Sequence, residues 1–382
     1  MTFYDLNVTK PIIKSNGTIS LNAGGTPNLP RLVLGGVLER IGILTQGTPV
    51  MTPGTGSIAR DINGGYNIHS NIAVIPNQQV PIYSCSGFGS WLFNNVKDGL
   101  ELDNFNAYDL QTGVVTKEQG LPDLSYINSS DLITTPAGAQ SPLWTIPHFI
   151  PIVQRMFNGI VGYWELGNPL AQLTVQLIAA YTGLASPFSI ASLTAGQLPY
   201  LITGNATVTL ATPTADIVRY LWDTPVDPQD RPPVTFINTI IEDTFQNNVG
   251  SNNALKYTFA PLSGYVARIV AYVNDSATGK GVAPSLMLPT NSLTFGIGDG
   301  TTLISESIYE NLSRQKMTLG YDLPQGAFFL DFLGRDLTWQ SVFSTYDNAN
   351  VNLGLNFASN IGANSFGKVV RQMLKPLQYT AK

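Results

Sequence analysis

Two histidines, one cysteine and a sparse set of carboxylates are all this chain offers to nucleophilic, acid–base or metal chemistry. His69 sits in Asn-Ile-His-Ser and His148 in Ile-Pro-His-Phe-Ile, neither beside a second ligand at metal-site spacing. A Ser-His-Asp triad is assembled in space and could recruit either one. No G-x-S-x-G elbow is present to supply its nucleophile. Each histidine is therefore expected to be hydrogen-bonded within the fold or exposed. Cys85 stands alone, which excludes an intrachain disulfide.

The remaining motifs point to turns. Thr278-Gly-Lys-Gly281 departs from a phosphate loop twice. Asn274 stands where the first glycine is needed, and Gly281 where Ser or Thr should follow the lysine. Phe295-Gly-Ile-Gly-Asp-Gly300 has no helical pattern directly after it to offer an N-terminus to an anion. Asp223, Asp227 and Asp230 could approach a calcium ion, but prolines interrupt them and the spacing is not that of an EF-hand. Paired acids for glycoside hydrolysis would have to come from Glu39, Glu165, Glu242, Asp243 and Asp331, the few carboxylates on clean strand candidates. On these grounds no residue is assigned a catalytic, cofactor-binding or metal-ligating role. The chain is expected to be no enzyme and to need no cofactor.

The elements that would have to position any site are short. The chain has 382 residues, room for roughly two domains. Its 36 Gly and 25 Pro favour turns and short strands over long helices. Charged residues are only 12% of the chain, about half the usual share. They are absent from Ile62 to Val96, Leu132 to Gln154 and Leu166 to Ala215. Aromatic, charge-free stretches of this kind resemble interface cores, so much of the surface is expected to be covered by neighbours. A net charge of −5 argues against specific nucleic-acid recognition, which needs a basic face. Ala171 to Ile190 alternates with a period of two, as a strand does, so no membrane-spanning helix is expected there. Met1 to Lys14 has no apolar core after a basic start, and synthesis and folding in a reducing cytoplasm are expected.

Strands are predicted over Arg31–Leu44, Ile72–Ile75, Val80–Cys85, Ile160–Leu166, Ala171–Ala180 and Ala206–Ala211. In the second half they are predicted over Val234–Ile241, Leu255–Phe259, Tyr265–Val273, Ser292–Phe295, Ala327–Leu333, Val351–Phe357 and Lys368–Leu377. Val351, Leu353, Leu355 and Phe357 alternate with Asn352, Gly354 and Asn356, the pattern of a sheet with one face in a core. Helices are expected over Gly89–Leu100 and over Glu306–Lys316, the latter capped by Ser305. Four prolines between Asp223 and Pro233 mark a linker. The expected organisation is an N-terminal arm (1–30), a first domain (31–222), a proline-rich linker (223–233) and a second domain (234–382) with a basic C-terminal tail. Two such halves suggest two β-sandwiches or jelly rolls.

Tyr309 to Phe357 adds a resemblance. Its core is Asp322-Leu-Pro-Gln-Gly-Ala-Phe-Phe329, followed by Asp331, Arg335-Asp336 and the alternating strand at Val351. It resembles the C-terminal part of the major capsid proteins of tectivirus-type bacteriophages, which enclose an internal membrane. Gly159 to Ala180 carries a weaker likeness, through Trp164-Glu165-Leu166 and Asn168-Pro169. The resemblance implies an all-β double jelly roll, with two barrels in tandem and short helices in loops. It implies a structural subunit of a virion: a homotrimer of pseudo-hexagonal outline that tiles an icosahedral shell around an internal membrane. Its partners would be further copies of itself, neighbouring capsomers, and penton and minor capsid proteins. Lys368, Arg371, Lys375 and Lys382 follow the last acid, Asp347, so the termini are candidates for contact with the membrane. The alternative reading is a phage or bacterial β-sandwich binding protein, a spike or lectin-like module.

Overall fold

The alternation from Val351 onward is realised as a strand, Val351–Asn356, with Val351, Leu353 and Leu355 buried and Asn352, Gly354 and Asn356 half-buried. The computed structural model describes residues 12–376 except 23–25, 53–57, 61–68, 78–79, 97–131, 134–143, 157–158, 167–171, 180–199, 203–206, 224–235, 247–253, 260–263, 276–279, 299–300, 321–322, 324, 334–341, 346–349, 360 and 363–364. The chain divides into two units: residues 1–91, 123–241 and 374–382, and residues 92–122 and 242–373.

The first unit is built from β1 (Ile12–Ser20), β2 (Val37–Thr52), β3 (His69–Pro76), β4 (Tyr83–Cys85), β5 (Trp144–Pro151), β6 (Leu173–Ala179) and β7 (Thr207–Trp222). One sheet runs β1–β7–β2, with β5 on the other side of β2. A second sheet places β6 beside β3 and β3 beside β4. The register puts Ile41, Ile43 and Ile217 on one face of the first sheet and Ile72, Val74, Val175 and Leu177 on one face of the second. All of these are buried, so each sheet turns one apolar face into the unit. Helix α1 (Gly87–Val96) follows β4 and buries Trp91, Leu92 and Phe93. It begins at Gly87, two residues before the predicted start, because the Ser86 hydroxyl accepts the Gly89 N–H at 3.0 Å.

The continuous strand β8 (Phe236–Gln246) contains the 241/242 division. The second unit holds β9 (Ala254–Phe259), β10 (Tyr265–Asp275), β11 (Leu293–Ile297), β12 (Thr301–Glu306), helix α2 (Ile308–Leu319), β13 (Ala327–Asp331), β14 (Val351–Asn356) and most of β15 (Phe366–Pro376). One sheet is ordered β9–β14–β11–β12; in another, β10 lies between β15 and β13. Their inner faces supply one core that includes Phe259, Ile269, Phe295, Phe328, Leu353, Phe357 and Val369. Among the described residues there are two α-helices, and neither is long and apolar enough to cross a membrane.

Four elements differ from the sequence reading, each for a local reason. Residues 12–20, read as part of a patternless arm, form β1 on this chain's own β7, from Ile12 opposite Leu221 to Ser20 opposite Thr214. As an edge strand exposed along almost its whole length, β1 shows no alternation to detect. Strand β5 contains Pro147 and Pro151, but among the described residues it pairs only with β2 along an edge, where proline is tolerated. Strand β7 runs on past Ala211 because the register shifts between Ala211 and Thr214, a bulge that absorbs Pro213. Helix α2 is capped by Ser307, not Ser305. The Ser307 hydroxyl accepts the Glu310 N–H at 3.2 Å, and the Glu310 carboxylate accepts the Ser307 N–H at 2.7 Å. That backbone hydrogen bond also lowers the Glu310 pKa.

Candidate functional site

Most of the acids singled out from the sequence are paired with cations of the same chain. Glu39 on β2 accepts a hydrogen bond from Arg155 at 2.8 Å. Glu242 pairs with Lys368 at 2.9 Å and Asp243 with Arg371 at 3.3 Å. Asp243 also accepts the Tyr257 hydroxyl, and the Tyr257 pKa is raised, first by burial and then by that bond. Two of the four C-terminal basic residues named as candidates for membrane contact, Lys368 and Arg371, are thus engaged with acids of β8. Glu165 lies half-buried on the short strand Trp164–Glu165. Among the described residues no three His, Cys, Asp or Glu side chains gather as metal ligands. Asp227 and Asp230 lie outside those residues, as do Thr278 and Gly279, while Asp223 is exposed. Cys85 is buried.

Asp331 closes a deeper arrangement. Its carboxylate lies 3.3 Å from Arg268 Nε, with the two side chains 10% and 3% exposed. It also accepts the Leu333 N–H at 3.1 Å, and Arg268 reaches Gln372 at 3.4 Å. Asp331→Asn keeps the shape but removes the charge held against a buried guanidinium. It should lower stability by about 2–3 kcal/mol, somewhat less than deleting a buried partner outright. Urea unfolding of the single variant measures this.

The two histidines, 79 positions apart in sequence, meet in the first unit. Their ring centroids are 5.3 Å apart, edge to face at 76°. His69 comes from β3 and His148 from β5, so the contact joins the two sheets. His69 Nε2 shares a 2.7 Å hydrogen bond with the Thr45 hydroxyl. Both rings are fully buried. Burial pushes the His69 pKa down to about 4 and that of His148 well below its ordinary value, with His69 as a second, smaller cause for His148. Each histidine was legible as a single residue; nothing in the sequence marked them as a pair.

The Leu-Pro-Gln-Gly segment is a backbone junction. Gln325 Nε2 donates to the Gly281 carbonyl at 2.7 Å, and Val273 N–H donates to the Gly326 carbonyl at 2.9 Å. Gly326 has φ +86°, and an added Cβ there would lie 2.5 Å from the Val273 carbonyl oxygen. One added at Gly281 would lie 1.7 Å from the Gln325 carbonyl oxygen. Leu323 is buried; Asp322 and Pro324 lie outside the described residues. The described part of the segment therefore serves to join β10, Gly281 and β13.

What the described surface offers is edges. Strand β1 ends its sheet and exposes Ile12 and Ile13, the latter 62% accessible. Asn16 fastens β1 to the segment before β2, donating to the Arg31 carbonyl and accepting the Val33 N–H. Arg219 bridges the Val33 and Ser15 carbonyls. The bonds bring exposed Val33 alongside β1, with exposed Leu34 next to it, making an apolar margin beside an edge strand. In the second unit β12 is one end of its sheet, with Leu303 exposed, and α2 exposes Tyr309 and Met317.

No family model and no curated protein matches the sequence. Solved structures do match. The MCP of STIV, Sulfolobus Turreted Icosahedral Virus, aligns with a TM-score of 0.64 and 14% identity over 98% of this chain and 100% of that one. The PBCV-1 virus capsid aligns at 0.54 and 9% identity, covering 98% and 96% of the two chains. The Faustovirus major capsid protein aligns at 0.52 and 10%, covering 97% and 91%. The chain is all-β, two jelly rolls in tandem, and shares the double jelly-roll fold of these viral major capsid proteins.

Proposed function

We propose that this chain is a major capsid protein. Three copies form a capsomer of pseudo-hexagonal outline, and capsomers tile an icosahedral shell around an internal membrane, with penton and minor proteins at the remaining positions. Residues 31–222 and 234–382 each supply one jelly roll. The observation that carries this reading is the likeness to the STIV MCP over 98% of one chain and 100% of the other. Both units take part in it, so the likeness extends beyond a single common sandwich. The exposed apolar margin at β1 supports self-association, because such an edge on a soluble protein is normally covered. The charge-poor stretches support it too, as the composition of a surface spent on neighbours. A structural role without catalysis fits the acids bound to cations of their own chain.

Light scattering on the purified full chain should give three times the chain mass, and electron microscopy should show trimers with a six-sided outline. A protein that stays monomeric at micromolar concentration overturns the reading.

A further inference from the structure

The His69–His148 contact takes no part in the proposed assembly, yet both histidines of the chain are spent on it. It lies between the two sheets of the first unit. Other groups on β1 to β7 that titrate or carry charge are Lys14 of β1, Glu39 and Arg40 of β2, Tyr83 and Cys85 of β4, and Asp216, Arg219 and Tyr220 of β7, with Arg155 and Glu165 on the short strands Gln154–Met156 and Trp164–Glu165. Strands β3, β5 and β6 carry none besides the two histidines. Glu39 is bound by Arg155, and Asp216 accepts the Thr18 hydroxyl. Arg219 is committed to two backbone carbonyls. The one hydroxyl bonded to His69 is that of Thr45. A proton added to either ring places a charge inside the sandwich, and a second places two like charges about one ring-contact apart.

We propose that the His69–His148 pair is an acid-sensitive fastening between the two sheets of the first unit, which opens as the pH falls below neutrality while the second unit, which holds no histidine, stays closed. The sign follows from linkage. Both folded-state pKa values lie below the free histidine value of 6.5. Below pH 6.5 an opened chain binds protons that the closed unit refuses, so stability falls with falling pH until the folded-state pKa is reached. Between pH 7 and pH 5 each histidine should raise the opening equilibrium about twentyfold to thirtyfold, and the pair several hundredfold. Ordinary carboxylates titrate mostly below this window.

Hydrogen exchange of the full chain at pH 7 and pH 5, corrected for intrinsic rates, reads the effect by segment. Peptides from 37–52, 69–76 and 144–151 should lose protection several hundredfold, and those from 265–275, 327–331 and 351–356 should change little. His148→Phe keeps an aromatic edge on His69 and should leave the pH dependence of a single histidine. The double variant His69→Gln/His148→Phe should be flat across the window. Equal loss of protection in both units, or an undiminished pH dependence in the variants, overturns the proposal. If the variants do not fold, ring resonances of the wild-type histidines decide it. They should stay constant from pH 7 to pH 5 in the folded protein, and titration with a midpoint near 6.5 overturns the proposal.

Discussion

Leu353→Asp should abolish soluble folded protein, while Asn352→Asp, one residue away, should leave it folded. Leu353 is 2% exposed at the centre of β14, packed in the core of the second unit and paired with Tyr257 and Phe295 on the flanking strands. Removing its side chain alone costs about 2–5 kcal/mol. Burying a carboxylate in its place adds several more, because a charge in this apolar core loses its hydration. The sum rivals the 5–15 kcal/mol total stability of an ordinary domain. Asn352 faces the other way. Its amide donates to the Gly298 carbonyl at 2.9 Å and its oxygen accepts the Thr258 hydroxyl at 2.7 Å. Aspartate keeps the second bond and loses the first, for about 1 kcal/mol. Soluble yield and urea midpoints of the two variants measure the contrast, and similar outcomes for both would mean that the strand's register is wrong.

Gly326→Ala should cost about 3–5 kcal/mol, well above the cost of Gly320→Ala. The two glycines separate two effects that are usually confounded. Both have positive φ, +86° and +79°, so alanine at either pays about 1–2 kcal/mol of left-handed strain. Gly320 closes α2 and an added methyl there meets nothing within 4 Å. At Gly326 the methyl meets the Val273 oxygen at 2.5 Å and Gly281 Cα at 2.8 Å, both backbone atoms of paired segments. Neither can yield without breaking the junction of β10, Gly281 and β13. Thermal or urea unfolding of the two variants should differ by about 2 kcal/mol or more. Equal costs would mean that the junction is looser than its geometry.

The glycine in Leu-Pro-Gln-Gly thus has a packing reason, which gives physical content to the stretch that carried the resemblance. The same stretch illustrates a limit. Gly281, the residue it packs on, lies 45 positions earlier and belongs to a segment that the sequence marks only as a turn. Contacts between distant glycines leave no local pattern, since neither has a side chain whose periodicity could be followed.

Much was nonetheless decided locally. Burial on one face and solvent on the other made Val351–Asn356 and Leu173–Ala179 readable as strands, because a pleated chain alternates its side chains. Scarcity of His and Cys, the scatter of the acids and long uncharged stretches point toward assembly in the sequence alone. Edge strands were the blind spot: β1 pays for its place through backbone bonds to β7, which every residue type can make, and β5 tolerates prolines because, among the described residues, one side of it is unpaired. The buried polar pairs were equally out of reach. That Arg268 meets Asp331, that Glu39 meets Arg155 and that His69 meets His148 depends on which strands the sheets bring together. Local propensity determines whether a segment extends, and it carries no information on which distant segment lies opposite; that is settled only when the sheets close on one another.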